Sequence, residues 1–286
     1  MKVIHGVTEL QELLEQDRAN GEKISFVPTM GALHEGHLSL VEIAQAKSDV
    51  VVVSIYVNPL QFGPKEDFDK YPRTLAADAE LLEQQGVQYL FAPSVDEVYP
   101  NGPEITQRAG VVGSTFEGAA RPGHFDGMLT VVNRLMEIVR PDAVVFGEKD
   151  AQQVFMVQKL IDARFKDCQF IEAPTLREPS GLAMSSRNRY LKPEELGDAE
   201  SIYRHLEALK TQLAEGVLVS KAVAEQSTNL EATSNAKLEY LAVIDPQIFR
   251  PVDDNYQGEA KIIVAAKVGE VRLIDNLNVT IRKRNA

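Results

Sequence analysis

Residues 24–57 of the chain, ISFVPTMGALHEGHLSLVEIAQAKSDVVVVSIYV, decide the fold that the sequence predicts. The stretch opens with an apolar run at Ile24 to Val27 and closes with a second one at Val50 to Val57, both of strand length. Between them, Leu38 to Ala46 has the apolar spacing of a helix with one buried face. A strand, a helix and a second strand in this order predict a β-α-β unit.

The same alternation continues on both sides of this unit. Near the N-terminus, Thr8 and Gln11 have the spacing of a capping box, which predicts a helix that begins there and ends at Gly21. The pattern predicts further strands at Val3 to His5, Tyr89 to Ala92, Ala143 to Phe146 and Gln169 to Ala173, and further helices at Thr74 to Gln85, Gly127 to Val139 and Asp150 to Ala163. Strands that are apolar throughout, separated by helices, predict an α/β fold with a doubly wound, Rossmann-like parallel sheet. Ligands of such sheets bind at the carboxyl ends of the strands.

The pattern changes after Pro174. A segment rich in Ser and Arg extends to Arg189, and two polar helices are predicted from about Pro193 to Thr233. Strand-like runs follow at Leu238 to Ile244, Lys261 to Lys267 and Val271 to Ile274. We therefore predict two domains, a Rossmann-like domain at 1–178 and a smaller α+β domain at 179–286.

Composition excludes several classes of protein. The 286 residues are 44% apolar and 25% charged, which is typical of a globular chain. With 30 Lys and Arg against 42 Asp and Glu, the net charge of −12 argues against a protein that coats nucleic acid or an anionic membrane. The single Cys168 cannot form an internal disulfide, and neither the N-terminus nor any apolar run predicts a signal peptide or a membrane span. These features predict a cytoplasmic protein.

The segment after the first strand of the β-α-β unit predicts an anion site. Pro28 to His37 reads PTMGALHEGH and leads from the strand into the helix. A helix N-terminus at this edge of a sheet directs backbone N–H groups and the positive end of the helix dipole toward a ligand such as a phosphate. His34 and His37 could add neutral donors or positive charge. The alternatives are ordinary exposed loop histidines or a metal pair; a His-Glu-x-x-His protease site is disfavoured because these histidines are three apart.

A second candidate site is Met184-Ser185-Ser186-Arg187, at the predicted domain junction. Two hydroxyls and a guanidinium are suitable donors for phosphate. The alternative is a serine-rich turn that serves only as a cap or loop.

The two segments together resemble the superfamily of nucleotidyltransferases and class I aminoacyl-tRNA synthetases, whose members bind ATP between two such motifs. The superfamily's second motif carries two lysines, whereas Arg187 is the only cation in the core of the present one, which argues against a tRNA synthetase. Four further motifs occur in register: Asn58 to Phe62 (NPLQF), Glu117 to Phe125 (EGAARPGHF), Phe146 to Asp150 (FGEKD) and Gln152-Gln153. With all six, the whole chain resembles the pantothenate synthetase (pantoate–β-alanine ligase) family.

This resemblance implies an activity and its substrates. Members join pantoate to β-alanine through a pantoyl-adenylate, and release AMP and diphosphate from ATP. The resemblance also implies Mg²⁺ on the phosphates, without assigning metal ligands among the protein side chains, and a homodimer. It implies small-molecule partners only, with no nucleic acid and no membrane.

The resemblance further implies a role for individual residues. The implied ATP site comprises Met30, Gly31, Ala32, Leu33, His34, Glu35, Gly36, His37, Gly147, Glu148, Lys149, Asp150, Leu176, Met184, Ser185, Ser186 and Arg187. Within it, His34, His37, Lys149 and Arg187 are the catalytic candidates, and the backbone at Leu176 contacts adenine. For Lys149 and Asp150 the alternative is a solvated helix start, which is also our interpretation of Glu148. A buried position in the core is the alternative for Leu176.

Three amides and one arginine complete the implied site. Gln61 and Gln153 would hold pantoate, Gln61 also approaching β-alanine, and Asn58 would orient Gln61. Buried structural amides are the alternative for each. Arg121 lies in a Gly/Pro-flanked loop that resembles the family's gate, although a surface cation is also possible. Two rival functions stay open, namely a nucleotidyltransferase that leaves AMP on its acceptor and a nucleotide-binding module without catalysis.

Overall fold

The computed structural model describes residues 1–63, 68 and 71–282. The chain forms two compact units: the first comprises Met1–Gly147 and Met156–Pro174, and the second comprises Glu148–Phe155 and Thr175–Ala286. The chain thus passes between the units after Gly147, after Phe155 and after Pro174, whereas the sequence analysis placed a single boundary at residue 178.

The first unit contains most of the alternating elements that the sequence predicts. Its strands are β1 (Lys2–Ile4), β2 (Ile24–Thr29), β3 (Val50–Ile55), β4 (Tyr89–Phe91), β5 (Ala143–Gly147) and β6 (Gln169–Ala173). Its helices are α1 (Val7–Ala19), α2 (Glu35–Gln45), α3 (Leu75–Gln84), α4 (Val95–Val98), α5 (Glu117–Ala120) and α6 (His124–Val139), together with the larger part of α7 (Ala151–Arg164).

The six strands form one parallel sheet in the order β1-β4-β3-β2-β5-β6. From β2 the chain proceeds in one direction to β3 and β4, and from β5 it proceeds in the other direction to β6. Because β-α-β crossovers are right-handed, α2 and α7 lie on opposite faces of the sheet. The predicted doubly wound α/β sheet is confirmed, and its switch point lies between β2 and β5.

The core of this unit forms where the strands are apolar on both faces. Val27 and Val53, on neighbouring strands, are fully buried, and α2 packs Leu40, Val41 and Ala44 against the same cluster. Burial of each Val or Leu side chain contributes about 1.5–3 kcal/mol relative to exposure. The apolar spacing within residues 38–46 was therefore a correct guide to the buried face of α2.

The start of α1 differs from the prediction. The helix begins at Val7, with Gly6 as its N-cap and no side-chain cap from its own sequence, so the capping box predicted at Thr8 is wrong. Instead, the Val7 N–H donates to the Glu97 carboxylate at 2.7 Å. A side chain distant in sequence supplies the acceptor that the first turn of every helix requires.

The second unit is the smaller α+β region that the sequence predicts. Two helices, α8 (Leu196–Ala214) and α9 (Val219–Thr233), precede the strands β7 (Lys237–Asp245), β8 (Arg250–Pro251), β9 (Gly258–Val268) and β10 (Val271–Ile281). The strands form an antiparallel sheet in the order β10-β9-β7-β8. Apolar residues of both helices and of the sheet form a single core, which includes Leu206, Leu230 and Ile262. Among the described residues, no helix is long and apolar enough to cross a bilayer.

Candidate active site

The segment 30–37 leaves the sheet at its switch point. It follows the carboxyl end of β2, and β5, which ends at Gly147, is the neighbouring strand on one side. The two strands followed by the histidine motif and by the Gly147 motif are therefore adjacent. The sequence analysis placed both motifs at carboxyl ends of strands, and the sheet order makes the two ends neighbours.

The loop at Met30 to Leu33 adopts a backbone that few residues tolerate. Gly31 has φ of 82°, and Ala32, which carries a Cβ, has φ of 52°. A Cβ on Gly31 would lie 2.9 Å from Ile55 Cγ2, so the loop requires glycine there for both conformation and space. A left-handed Ala costs about 1–3 kcal/mol and persists only when its surroundings hold it.

The buried carboxylate of Asp78 holds this loop. Asp78 lies in α3 and is 2% exposed. Its Oδ2 accepts a hydrogen bond from the Ala32 N–H at 2.9 Å, and its Oδ1 accepts one from the Leu33 N–H at 2.8 Å. The Thr74 hydroxyl donates to Oδ2 at 3.0 Å. Asp78 was not predicted, because nothing in its local sequence connects it with a loop 46 positions away.

Several backbone N–H groups of the segment already have acceptors within the protein. Besides Ala32 and Leu33, the Gly31 N–H donates to Thr29 Oγ1, the Gly36 N–H to His34 Nδ1 and the His37 N–H to the His34 carbonyl. All five of these N–H groups therefore have acceptors within the protein, and the prediction that backbone donors of this turn face a phosphate gains no support at these positions. The histidine side chains become the principal candidates for anion contact.

The two histidines lie against each other at the start of α2. Their ring centroids are 4.2 Å apart with an interplanar angle of 50°. His34 is the N-cap of α2, and its Nδ1 accepts the Gly36 N–H at 3.1 Å. Because Nδ1 is an acceptor, the neutral ring carries its proton on Nε2, which can donate to a ligand. The two imidazole rings therefore form a contacting pair at the start of α2.

Asn58 and Gln61 are both buried and hydrogen-bonded to each other, a contact that fits both the implied orientation of Gln61 by Asn58 and the alternative of structural amides. Asn58, which is fully buried, donates to Gln61 Oε1 at 3.3 Å and to the Gly127 carbonyl at 3.0 Å. Gln61 Nε2 in turn donates to Met30 Sδ at 2.8 Å. The Gln61 amide is therefore held between Asn58 and Met30.

Tyr99 supports this network from the C-terminal end of α4. Its hydroxyl donates to Asn58 Oδ1 at 3.0 Å. Burial raises the pKa of the Tyr99 phenol, so the hydroxyl keeps its proton and acts as the donor. Tyr56 packs edge-on against it, with ring centroids 6.3 Å apart. Nothing in the sequence pattern pointed to Tyr99, because its partner lies 41 positions away.

Arg121 lies in the short loop between α5 and α6, next to Pro122 and Gly123, as the sequence predicts. It is the C-terminal cap residue of the short helix α5, and its Nη1 lies 3.1 Å from His124 Nε2. His124 Nδ1 contacts the Gln61 carbonyl at 2.8 Å. Because a carbonyl can only accept, His124 donates from Nδ1 and accepts from Arg121 at Nε2. His124, which the sequence analysis quoted only as part of a motif, therefore connects Arg121 to the backbone of Gln61.

In the second unit, the residues around the other predicted motif are brought together locally. The Met184 N–H donates to the Leu176 carbonyl at 3.0 Å, so these two predicted residues are paired. Leu176 is 39% exposed, which contradicts the alternative of a core position. Ser185 Oγ accepts the Arg187 N–H at 3.2 Å, so Ser185 caps the short helical turn that follows it. This agrees with the alternative that the serine-rich segment serves as a cap. Its hydroxyl proton is still available to donate.

Lys149 and Ser185 line the same small cleft within the second unit, with a volume of about 10 Å³ and with Tyr203 and Asp275 also in its wall. Arg187 and Asp150 are exposed, and Gln153 is partly buried. The structure thus brings Lys149 close to the Met184–Arg187 segment.

Glu148 does not have the predicted environment of a solvated helix start. Helix α7 begins only at Ala151, and Glu148 lies in the turn before it. Its Oε1 accepts the Thr175 N–H at 3.2 Å, and its Oε2 lies 3.8 Å from Lys261 Nζ. The carboxylate therefore anchors the turn.

No group of three or more His, Cys, Asp or Glu side chains that could hold a metal ion occurs in the described part of the chain. The donor set of these residues thus does not form a metal site by itself.

Comparisons with known proteins show which family has these features. A sequence model of the family described as Pantoate-beta-alanine ligase matches residues 2–278. The chain belongs to this family. Pantothenate synthetase of a Nocardioides species is 46% identical over 288 residues, which cover 98% of this chain and 86% of the relative. Pantothenate synthetase of Pseudomonas entomophila is 44% identical over 291 residues, and the match covers 100% of both chains.

Solved structures of the family have the same fold. The crystal structure of pantothenate synthetase from Thermus thermophilus matches with a TM-score of 0.90 and 44% identity, and the match covers 97% of this chain and 99% of that one. The pantoate–β-alanine ligase of Francisella tularensis, which was solved in complex with β,γ ATP and β-alanine, matches with a TM-score of 0.78 and 34% identity over 97% of each chain. The resemblance stated from the six motifs is therefore confirmed.

Proposed function

We propose that this chain condenses pantoate with β-alanine at the expense of ATP, and releases AMP and diphosphate through a pantoyl-adenylate intermediate. The observation that carries the proposal is membership of the pantoate–β-alanine ligase family over residues 2–278. The local geometry supports it, because an oriented amide pair and a histidine pair both follow carboxyl ends of strands in the sheet. The Francisella relative, bound to β,γ ATP and β-alanine, supports the choice of substrates.

The first half-reaction is an attack on the α-phosphate. A carboxylate oxygen of pantoate bonds to phosphorus, and the bond to the bridging oxygen of diphosphate breaks with its electron pair. Negative charge grows on the leaving group, so fixed donors placed there lower the barrier. We assign this role to His34, His37, Lys149 and Arg187, with Met30 to His37, Gly147 to Asp150, Leu176 and Met184 to Arg187 as the ATP-binding residues.

The amide network supports a role for Gln61 in substrate orientation. We propose that Gln61 and Gln153 hold pantoate and that Asn58 orients the side chain of Gln61. Neutral amides suit a carboxylate nucleophile, because a direct salt bridge would weaken its attack. Asn58 fixes Gln61 Oε1, and Met30 Sδ contacts Gln61 Nε2, so the amide is oriented before substrate binds. Such preorganisation lowers the entropic cost of reaching the reactive geometry.

In the second half-reaction the β-alanine amine attacks the carbonyl carbon of the mixed anhydride. The bond to the AMP oxygen breaks, the electron pair leaves with AMP, and the amine loses a proton. Water competes with the amine for the same carbon, so the intermediate must be shielded. We propose that Arg121 helps to cover it, and the contact to His124, which bonds the Gln61 backbone, supports this role.

Three further properties belong to the proposal. Mg²⁺ would neutralise part of the phosphate charge, and because the described residues contain no cluster of metal ligands, it would enter bound to the nucleotide. The chain is proposed to divide at residue 178 into two functional domains. It is further proposed to act as a cytoplasmic homodimer that binds neither nucleic acid nor membrane.

Pantoate-dependent exchange of labelled diphosphate into ATP tests the adenylation step. We expect exchange without β-alanine, and pantothenate when β-alanine is added. No exchange would contradict adenylation, and exchange without pantothenate would favour a nucleotidyltransferase that leaves AMP on its acceptor. A module that only binds nucleotide would bind ATP without either reaction.

The variant His37→Ala tests the histidine pair. Loss of one preorganised donor to developing charge lowers a rate by about 10²–10³-fold, so the exchange rate should fall by that amount while the circular dichroism spectrum is unchanged. The control is His5→Ala, an exposed histidine of the same unit that bonds the Ala92 carbonyl. Near-normal exchange by His37→Ala would remove His37 from the mechanism.

A further inference from the structure

The turn that carries Lys149 is held by a buried asparagine. Glu148 and Lys149 form the turn between β5 and α7, where their carbonyls are outside the helix and the sheet. Asn276, on β10, donates from Nδ2 to the Glu148 carbonyl at 2.7 Å and to the Lys149 carbonyl at 2.9 Å. Asn276 is 1% exposed. A single buried amide therefore satisfies two consecutive carbonyls of the turn.

Asn276 is itself fixed by the edge of the sheet. Strand β10 is at the end of the strand order, so one of its edges has no neighbouring strand among the described residues. There the Asn276 carbonyl accepts from Arg177 Nη2 at 3.2 Å, and its N–H donates to Asp275 Oδ1 at 2.7 Å. Arg177 and Asp275 form a bidentate pair with distances of 2.6 and 2.9 Å. Two parallel charge-assisted bonds restrict both side chains and, through them, the backbone at Asn276.

The amide of Asn276 can serve this role in only one orientation. Its Nδ2 faces the two carbonyls, while its Oδ1 is buried with no hydrogen-bond partner among the described residues. An aspartate at this position would have the same shape but would place oxygen acceptors against two carbonyl oxygens. The donor character of the side chain, rather than its size, is what the turn requires.

Lys149 is the member of the turn that lines the cleft. The backbone is held by Asn276, and the Glu148 carboxylate accepts the Thr175 N–H and the Asn278 amide, the latter at 3.4 Å. Lys149 shares the cleft wall with Ser185 of the Met184–Arg187 segment. The turn that presents Lys149 to the cleft is therefore anchored through both its backbone and the neighbouring side chain.

We propose that Asn276 is a positioning residue for Lys149: it fixes the turn so that the ammonium group is presented to the phosphates of ATP. This inference rests on the proposed function, in which Lys149 binds phosphate. A lysine side chain is flexible, so the position of its Cα determines how well the ammonium group reaches one ligand atom. A displacement of about 1 Å can cost a catalytic group about 100-fold in rate.

The test uses the full chain and the pantoate-dependent exchange reaction, with ATP and pantoate varied separately. The variants are Asn276→Asp, which reverses the donor, Asn276→Ala, which removes it, Lys149→Ala and the double variant Lys149→Ala with Asn276→Asp. Asn278→Ala is the control, because Asn278 lies on the same strand and contacts the Glu148 side chain instead of the backbone. Circular dichroism and thermal melting establish that each variant is folded before its kinetics are compared.

We expect Asn276→Asp to lower kcat/KM for ATP by about tenfold or more, the loss that corresponds to one weakened charge-assisted contact. The KM for pantoate should stay within about twofold of the natural value. The double variant should have the same kcat/KM for ATP as Lys149→Ala alone, because the effects of two substitutions do not add when one residue acts through the other. Asn276→Ala should show the same preference for ATP with a smaller effect. A solely structural role would lower the amount of folded protein without this difference between substrates.

Three results would overturn the inference. The first is unchanged kcat/KM for ATP in both folded Asn276 variants. The second is a double variant whose defect is the product of the two single defects. The third is normal exchange by Lys149→Ala, which would remove the proposed phosphate role of Lys149 as well. Absence of exchange in the natural chain would contradict the proposed function itself, and is thereby distinguished from failure of the Asn276 variants alone.

Discussion

The buried carboxylate of Asp78 should decide the conformation of the loop that begins the candidate ATP site. We consider Asp78→Asn, which keeps the shape of the side chain and removes its charge and one acceptor. In the natural chain both carboxylate oxygens accept a backbone N–H, from Ala32 and from Leu33. An amide can accept only one of them, and its own NH₂ group then faces the other.

The expected cost follows from the two bonds. For the N–H that keeps an acceptor, a charged partner becomes a neutral one, which costs about 1 kcal/mol. The second N–H is left buried without an acceptor, which costs about 1–3 kcal/mol, because Ala32 and Leu33 are only 2% and 7% exposed. The sum is about 2–4 kcal/mol, which for a chain of this size lowers the melting temperature by about 3–7 °C if unfolding is cooperative. The left-handed conformation of Ala32 also loses its support.

Hydrogen exchange measured by mass spectrometry localises the effect. Peptides that span Met30 to His37 should lose protection in Asp78→Asn, while peptides of the antiparallel sheet β7–β10 should not change. Thr74→Val is the control, since it removes one hydroxyl donor to the same carboxylate and leaves both backbone bonds intact. We expect it to cost about 0.5–1.5 kcal/mol, with normal protection of the loop. Equal protection of the loop in Asp78→Asn and the natural chain would refute this account of Asp78.

Two further predictions concern single side chains. Tyr99→Phe removes the donor to Asn58, and should cost about 0.5–1.5 kcal/mol in stability and lower kcat/KM for pantoate several-fold. The control Tyr56→Phe removes a hydroxyl that has no hydrogen-bond partner among the described residues, and should change neither quantity. Thermal melting and pantoate-dependent exchange measure the two effects, and equal results for the two variants would contradict the role of the Tyr99 contact. Burial, and less strongly Asp142, raises the pKa of the Cys168 thiol to about 12, so iodoacetamide at pH 8 should alkylate the folded chain more than about tenfold more slowly than the chain in urea. Because the folded pKa lies above the unfolded one, this thiol's contribution to stability is present below pH 9 and is lost as pH rises toward 12. Equal alkylation rates would contradict the protection of this partly buried thiol.

Local patterns were sufficient wherever the physical cause is itself local. The apolar runs of β2 and β3 and the spacing within α2 reflect which side chains are buried, and this is written into consecutive residues. The motifs at 30–37 and 184–187 could likewise be recognised from consecutive residues alone. The capping box predicted at Thr8 failed because Glu97 supplies the acceptor for the Val7 N–H. A local capping pattern cannot reveal a competitor that is distant in sequence.

The sequence also named the candidate site residues without revealing what orients them. The contact between Asn58 and Gln61 was expected from the family resemblance, which implied that Asn58 orients Gln61. Asp78, Tyr99 and Asn276 were not, although each bonds directly to a predicted segment or residue. Their partners are 41 to 128 positions away, and an aspartate, a tyrosine or an asparagine carries no signal of such a partner.

The sequence by itself determined the alternation of elements, the parallel character of the main sheet and the family, because hydrophobic periodicity and motif spacing are properties of neighbouring residues. Only the tertiary structure decided the strand order that makes the ends of β2 and β5 neighbours. It also decided that the N–H groups of Ala32 and Leu33 are occupied by Asp78 rather than available to a phosphate, and that Asn276 holds the turn at Lys149. The physical reason is that a buried hydrogen bond depends on where two distant backbones meet, and the packing of the whole unit sets that meeting point.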